Sequence, residues 1–362
     1  MPDPTVTAAR RDALRRRVRD AGLPALLVTT LVNVRYLTGF TGSNARVVVT
    51  ADGDADLFVT DGRYREQADA EVAGVPRAVN PPSGWLRERL GDRDTLGVES
   101  QHLAWDDVRD LQRRLGDVTV TPAPGHVEAL RQTKDDAEIG ALRRACRIGD
   151  QAFTALVGWA RPGMTERAVA VRLERTMVDL GAQGPSFDTI VASGPNSAVP
   201  HHRPTERTLR SGDLLKVDFG ALVDGYHSDM TRTVAVGEPD ARLRRVHGVV
   251  REAQAAGLAA AVRGAAAAEV DRACRDVIDA AGHREGFTHG TGHGVGLEIH
   301  ELPLLSPRSV ATLARRMAVT VEPGVYLPGL GGVRIEDTVV VGPAVAAGPE
   351  SLTHSPRDLL VL

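Results

Sequence analysis

Hydrophobic and polar positions alternate along the first third of the chain. ALLVT (25–29), ARVVVT (45–50), ADLFVT (55–60) and TLGVES (95–100) have the two-residue period and β-branched content of strands. Segments 8–20, 62–73 and 104–115 keep helical spacing instead. ADGD at 51–54, between two β-rich runs, predicts a hairpin. The alternation predicts a small α/β domain. Pro122, Pro124 and Gly125 mark its end, so its expected span is 1–125.

The pattern then changes. DDAE at 135–138 reads as a capping box that opens a helix. Two helices are expected over 135–160 and 165–181, followed by strands from 187 to 236. Leu243, Val246, Val250 and Ala253 restart helical spacing, a further helix is expected over 268–281, and strands fill 287–343. The order helix–helix–sheet thus occurs twice, roughly 105 residues apart. This predicts a pseudo-two-fold α+β domain over 132–362 with its site between two half-sheets.

Composition narrows the function classes. A chain of 362 residues fits two domains. Apolar residues make up 42%, charged residues 25% and aromatic residues 4%, and the net charge is −3. No basic stripe appears beyond the first helix, so nucleic acid is not an expected partner. ARRDALRRRVRD carries Asp12 and Asp20 and reads as a solvated amphipathic helix rather than a transit peptide. No apolar run is long enough for a membrane span. Cys146 and Cys274 each lie on an apolar helical stripe, which predicts small core residues in a reducing compartment. The expected location is the cytoplasm. Lys134 and Lys216 are the only lysines, which reads as coding bias toward arginine.

The chemistry lies on strand faces. In LLKVDFG (214–220), Leu215, Val217 and Phe219 point one way and Lys216 and Asp218 the other. The following strand carries Asp229, and the turn Asp224-Gly225 is expected to bring Asp218 and Asp229 roughly opposite each other. VTVEPGVY carries Glu322, and GGVRIEDTVVV carries Arg334 and Glu336 on one face. The turn LPGLGG lies midway, so Glu322 and Glu336 should also meet. Four converging carboxylates repel unless cations offset them. His293, in the glycine-rich GTGHGVGLEIHE (290–301), would add a nitrogen ligand. Hard oxygen donors with one imidazole favour Mn²⁺, Co²⁺ or Zn²⁺. Other motifs fail: HGTGHGVG lacks the third glycine of a dinucleotide fingerprint, Gly290 stands where a zincin helix needs Glu, and no G-x-S-x-G elbow occurs.

With these residues in view, the chain resembles the pita-bread metallopeptidase family, which includes methionine aminopeptidase, aminopeptidase P and prolidase. The matching segments are SGPNSAVPHH (193–202), GDLLKVDFG (212–220), SDMTRT (228–233), HGTGHGVGLEIHE (289–301), VEPGVYL (321–327) and RIEDTVVV (334–341). NVRYLTGFTGSNA (33–45) and TDGRYREQA (60–68) resemble the creatinase-type N-terminal domain of the proline-specific branch.

The resemblance implies two divalent ions, most simply Mn²⁺, held by Asp218, Asp229, His293, Glu322 and Glu336. Asp229 and Glu336 would bridge both ions. It implies His201 rather than His202 as a site histidine, with His289 and His300 as the others. Cations would make water nucleophilic at neutral pH. Glu322 would move a proton from water toward the leaving nitrogen, and His201 and His300 would bind substrate and stabilise the tetrahedral oxygen. Arg334 would hold Glu336 or a nearby acid. The expected glycine role is close backbone approach to metals and substrate. The expected activity is hydrolysis of the bond before proline, and TDGRYREQA favours aminopeptidase P over prolidase. The remaining alternative is an inactive binding protein, although creatinase-like loss of ligands is not seen at these five positions. A homodimer is implied by the resemblance alone.

Overall fold

The computed structural model describes residues 3–343 and 348–362, and the chain divides into two compact units, Met1–Arg131 and Gln132–Leu362. The first unit starts with α1 (Pro4–Asp20), where the Asp3 side chain accepts from Thr5 N and Pro4 fits the first turn. There follow β1 (Ala25–Val28), α2 (Leu31–Thr38), β2 (Ala45–Thr50), β3 (Leu57–Thr60), α3 (Arg65–Glu71) and β4 (Arg77–Val79). The unit continues with α4 (Trp85–Leu90), β5 (Thr95–Val98), α5 (Trp105–Leu115), β6 (Thr119–Pro122) and α6 (His126–Arg131).

The strands form one mixed sheet in the order β4-β3-β2-β1-β5-β6. The β1–β2 and β2–β3 pairs are antiparallel, and β4, β5 and β6 are added in parallel. β1 sits near the centre, which is why all four of its residues are buried. The short elements α2, α4 and β4 carry too few residues to show a period. α6 lies beyond the expected boundary at 125 and belongs to this unit, where the Arg131 guanidinium donates to Asn33 Oδ1 at 2.8 Å.

The second unit opens with α7 (Asp136–Trp159), begun by the reciprocal capping of Asp135 and Glu138. α8 (Glu166–Asp179), capped by Thr165, follows. Then come β7 (Gly184–Pro185), β8 (Ile190–Ser193), β9 (Leu214–Phe219), β10 (Ala221–Val223), β11 (Tyr226–His227) and β12 (Met230–Ala235). β12-β9-β8 is an antiparallel sheet, packed through Val217 and Phe219 against Phe153, Leu156, Leu173 and Met177.

The plan then repeats. α9 (Ala241–Ala260) and α10 (Ala267–Ala280) precede β13 (Gly292–Gly294), β14 (Glu301–Leu305), β15 (Ala318–Val321), β16 (Gly324–Leu327), β17 (Gly331–Arg334), β18 (Asp337–Val340) and β19 (Glu350–Ser351). The sheet order is β14-β13-β15-β18-β19, with β16–β17 as a separate ribbon. Val246, Val250, Val270, Cys274 and Ile278 pack beneath Val319 and Val321. The isolated bridge Thr165–Thr208 beside α8 has its counterpart in Ala266–Thr312 beside α10. The architecture is the α+β repeat expected from the pattern. Both cysteines are buried free thiols, and burial pushes the Cys274 thiol up to about 12.

One register differs from expectation. β10 and β11 close tightly, with Val223 paired to Tyr226 around Asp224 and Gly225 at φ 50° and 75°. The same register runs into β9–β12, so Asp218 faces Thr231 rather than Asp229. The slip is two residues, an even number, so both acids keep the same face.

Candidate metal centre

Each acid sits where a strand begins, ends or breaks. Asp218 lies near the end of β9 and Asp229 immediately precedes β12. Glu322 and Glu336 fall in the gap between two paired stretches, with Val321–Asp337 on one side and Gly324–Arg334 on the other. His293 is the middle residue of β13. Its flanking glycines answer to neighbouring strands rather than to metals or substrate. A Cβ on Gly292 would fall 2.0 Å from Thr320 O, and one on Gly294 would fall 2.3 Å from Leu302 O.

These side chains converge on one cavity of about 510 Å³, which His201, His289, His300 and Arg334 also line. Donor atoms of Asp229, His293 and Glu336 lie within 4.8 Å of one another. His293 Nε2 is 3.5 Å from Asp229 Oδ2 and 3.4 Å from Glu322 Oε1. Its Nδ1 lies 2.9 Å from Gly294 O, so Nε2 is the atom presented to the cluster.

Protein charges alone leave the cluster unbalanced. Burial first, and then Asp218, push Asp229 up to about 6 against the opposing pull of His293. Burial pushes Glu322 up to about 7, and burial with Asp229 and Glu322 drives Glu336 well above the usual carboxylate range. Burial would lower His293, but the hydrogen bond to Asp229 and the charge on Glu322 outweigh it and raise the imidazole to about 9. Asp218 Oδ1 and Glu336 Oε1 are buried with no hydrogen-bond partner. Orphaned carboxylate oxygens of this kind are costly unless a cation takes them. The donor set of four carboxylates and one imidazole therefore fits hard or borderline divalent ions.

A second layer surrounds the acids. The buried Arg334 guanidinium donates from Nε to Thr231 Oγ1 at 3.1 Å, from one terminal nitrogen to Tyr326 Oη at 2.7 Å and Pro200 O at 3.2 Å, and from the other to Asp218. The acid that it holds is thus Asp218; Glu336 instead accepts from Thr231 Oγ1 at 2.7 Å. Tyr326 Oη lies 2.8 Å from His289 Nε2, and His289 Nδ1 lies 2.8 Å from Gly290 O. Burial and Arg334 push His289 down to about 3, so it stays neutral. His300 stacks edge-on to His293 with ring centroids 4.4 Å apart. His201 lines the cavity, whereas His202 Nε2 turns to Glu166 Oε2 at 2.8 Å.

Tyr326 and the apolar wall of Phe187, Ile190, Ile299 and Leu304 are site features that the sequence reading did not single out. Tyr326 was signalled by its even spacing from Glu322, which puts both on one face of an extended chain.

Comparisons with known proteins identify the family. Residues 140–343 match metallopeptidase family M24, and residues 10–133 match the creatinase/prolidase N-terminal domain. The Xaa-Pro dipeptidase of Pyrococcus furiosus is 35% identical over 351 residues, covering 97% of this chain and 99% of that protein. The structure of an Xaa-Pro dipeptidase from Bacillus anthracis superposes with a TM-score of 0.94 at 39% identity, covering 98% of this chain and 100% of that one. An X-Pro aminopeptidase from Thermotoga maritima gives 0.88 at 34% identity, covering 97% and 99%. Matched by a family covering more than half its length and aligned nearly end to end with these relatives, the chain belongs to metallopeptidase family M24, with a creatinase/prolidase-type N-terminal domain.

Proposed function

We propose that the protein is an Xaa-Pro dipeptidase that hydrolyses the bond between a free amino-terminal residue and a carboxy-terminal proline. The convergence of Asp218, Asp229, His293, Glu322 and Glu336 in one cavity carries the peptidase part of this reading. The substrate length rests on the relatives. The greater likeness to a dipeptidase than to an aminopeptidase outweighs the preference that TDGRYREQA suggested for aminopeptidase P.

The five residues would hold two divalent ions, with Mn²⁺ the first candidate and Co²⁺ or Zn²⁺ as alternatives. Ions bound there supply Lewis acidity toward water and the scissile carbonyl. The side chains do the rest. Glu322, on the cavity wall beside His293 Nε2, accepts a proton from the attacking water and delivers it to the prolyl nitrogen as the C–N bond breaks. His201 and His300, both on the cavity wall, hydrogen-bond the substrate and the oxygen that gains charge. His289, through Tyr326, and Arg334 keep Asp218 oriented. The apolar wall accommodates the side chain before proline and the prolyl ring.

The test is hydrolysis of Ala-Pro and Ala-Pro-Ala side by side with Mn²⁺ and with chelator. Cleavage of Ala-Pro alone, abolished by chelator, is expected. Cleavage of Ala-Pro-Ala alone would return the protein to the aminopeptidase P reading.

A further inference from the structure

Of 44 basic residues only two are lysine, Lys134 and Lys216. Bias toward arginine accounts for the rest but not for where these two remain. Both are buried, at 1% and 0% exposure. Lys216 Nζ donates to Val199 O at 2.7 Å and Pro200 O at 3.1 Å, and the next residue is His201. Lys134 Nζ donates to Glu301 Oε2 at 2.8 Å, and the residue before Glu301 is His300. Glu301 Oε1 accepts from Glu298 N at 3.1 Å, closing the turn that carries His300.

Neither His201 nor His300 has a side-chain hydrogen-bond partner among the described residues. His300 meets the His293 ring edge-on but no polar partner, so the placement of both histidines depends chiefly on the backbone that carries them. Building on the dipeptidase reading, we propose that Lys216 and Lys134 are positioning residues for His201 and His300, each fixing the residue adjacent to its histidine.

The chemistry explains why lysine persists there. Lys216 reaches two successive carbonyls with one compact nitrogen, 4.9 Å from the Tyr326 ring centroid, while Arg334 already occupies Pro200 O. A planar guanidinium would bring five fixed N–H groups to a space offering two acceptors, leaving buried donors unpaired. Around Glu301 the packing is equally close, since a Cβ on Gly296 would lie 2.7 Å from its carboxylate.

The test is a pair of double-mutant cycles read as kcat and KM for Ala-Pro, with metal content measured on every variant. Lys216→Met should lower kcat roughly 10- to 100-fold at unchanged metal content, because small displacements of a positioned group cost that much. Lys216→Arg should remain slow despite keeping a nitrogen donor at this position. Lys216→Met/His201→Ala should be no slower than His201→Ala alone. Lys134→Met with His300→Ala should behave alike. If Lys134→Met does not fold, Lys134→Met/Glu301→Gln, which removes the stranded charge, takes its place in the cycle. Multiplying effects within either cycle, or loss of metal with unchanged kcat per loaded site, would overturn the positioning role, and full activity of Lys216→Arg would overturn the requirement for lysine at that place. A wild-type protein that cleaves no Xaa-Pro peptide would contradict the dipeptidase reading instead.

Discussion

Glu322 and Glu336 sit across from each other in a gap where the strand ladder opens. The register that pairs Val321 with Asp337 resumes unchanged at Gly324 and Arg334, so the two glutamates are the matched residues of an interrupted hairpin. The backbone N–H of each turns elsewhere, Glu322 N to Thr291 O and Glu336 N to Thr231 O. The opening frees both carboxylates to face Asp229 and His293. It also separates their surroundings, because Glu322 Oε1 lies 3.4 Å from His293 Nε2 while Glu336 accepts from Thr231 Oγ1 at 2.7 Å.

Glu322→Gln should therefore lower kcat for Ala-Pro by roughly 10²-fold or more. Glu336→Ala should lose metal outright. Metal analysis beside steady-state kinetics separates the two. Near-normal turnover of Glu322→Gln would remove Glu322 from proton transfer.

Gly292 gives a backbone test of the same centre. Gly292→Ala would drive a methyl into Thr320 O and part β13 from β15. A loss of about 3 kcal/mol or more in stability is expected, with weakened metal binding through His293. Urea unfolding and Mn²⁺ titration measure both. A fully stable, fully loaded variant would mean that β13 does not need glycine.

Acid stability should report on Glu166, which anchors the segment leading to His201. Burial alone would raise this carboxylate, but Thr205, His202 and Asn196 hold it at about 2 against an ordinary 4.5. A depressed carboxylate contributes its stability above the unfolded value and loses it as pH falls through the folded one. Glu166→Gln should thus cost up to about 3 kcal/mol at pH 7, and the gap from wild type should close as pH falls from 4.5 toward 2. Urea midpoints at several pH values check this, and a gap that does not change with pH would show that folding leaves the pKa of this carboxylate unshifted.

Much of the arrangement is legible in the sequence because strand periodicity fixes faces. Glu322, Arg334 and Glu336 could be assigned to one surface from alternation and the midpoint of LPGLGG alone. Alternation puts Asp218 and Asp229 on the right face, but the turn signal alone gives the wrong register. Turn chemistry showed where the chain reverses, but the two-residue closure at Asp224-Gly225 set the pairing. The glycines around His293 are legible as close contacts but not as contacts with Thr320, from a strand distant in sequence, or with Leu302, on the strand that follows. The partners of Arg334 and the two lysines outside the β16–β17 hairpin are hidden because those bonds join segments that only the folded sheets bring together.

Metal stoichiometry coupled to turnover tests the dinuclear centre most directly. Metal-stripped protein should be titrated with Mn²⁺ while Ala-Pro hydrolysis and bound metal are followed together. Activity that rises to a plateau at two ions per chain, and vanishes with chelator, is the predicted result. Folded protein that binds no divalent ion in this titration, or that hydrolyses Ala-Pro equally well without one, would contradict the reading of this cavity as a dinuclear peptidase centre.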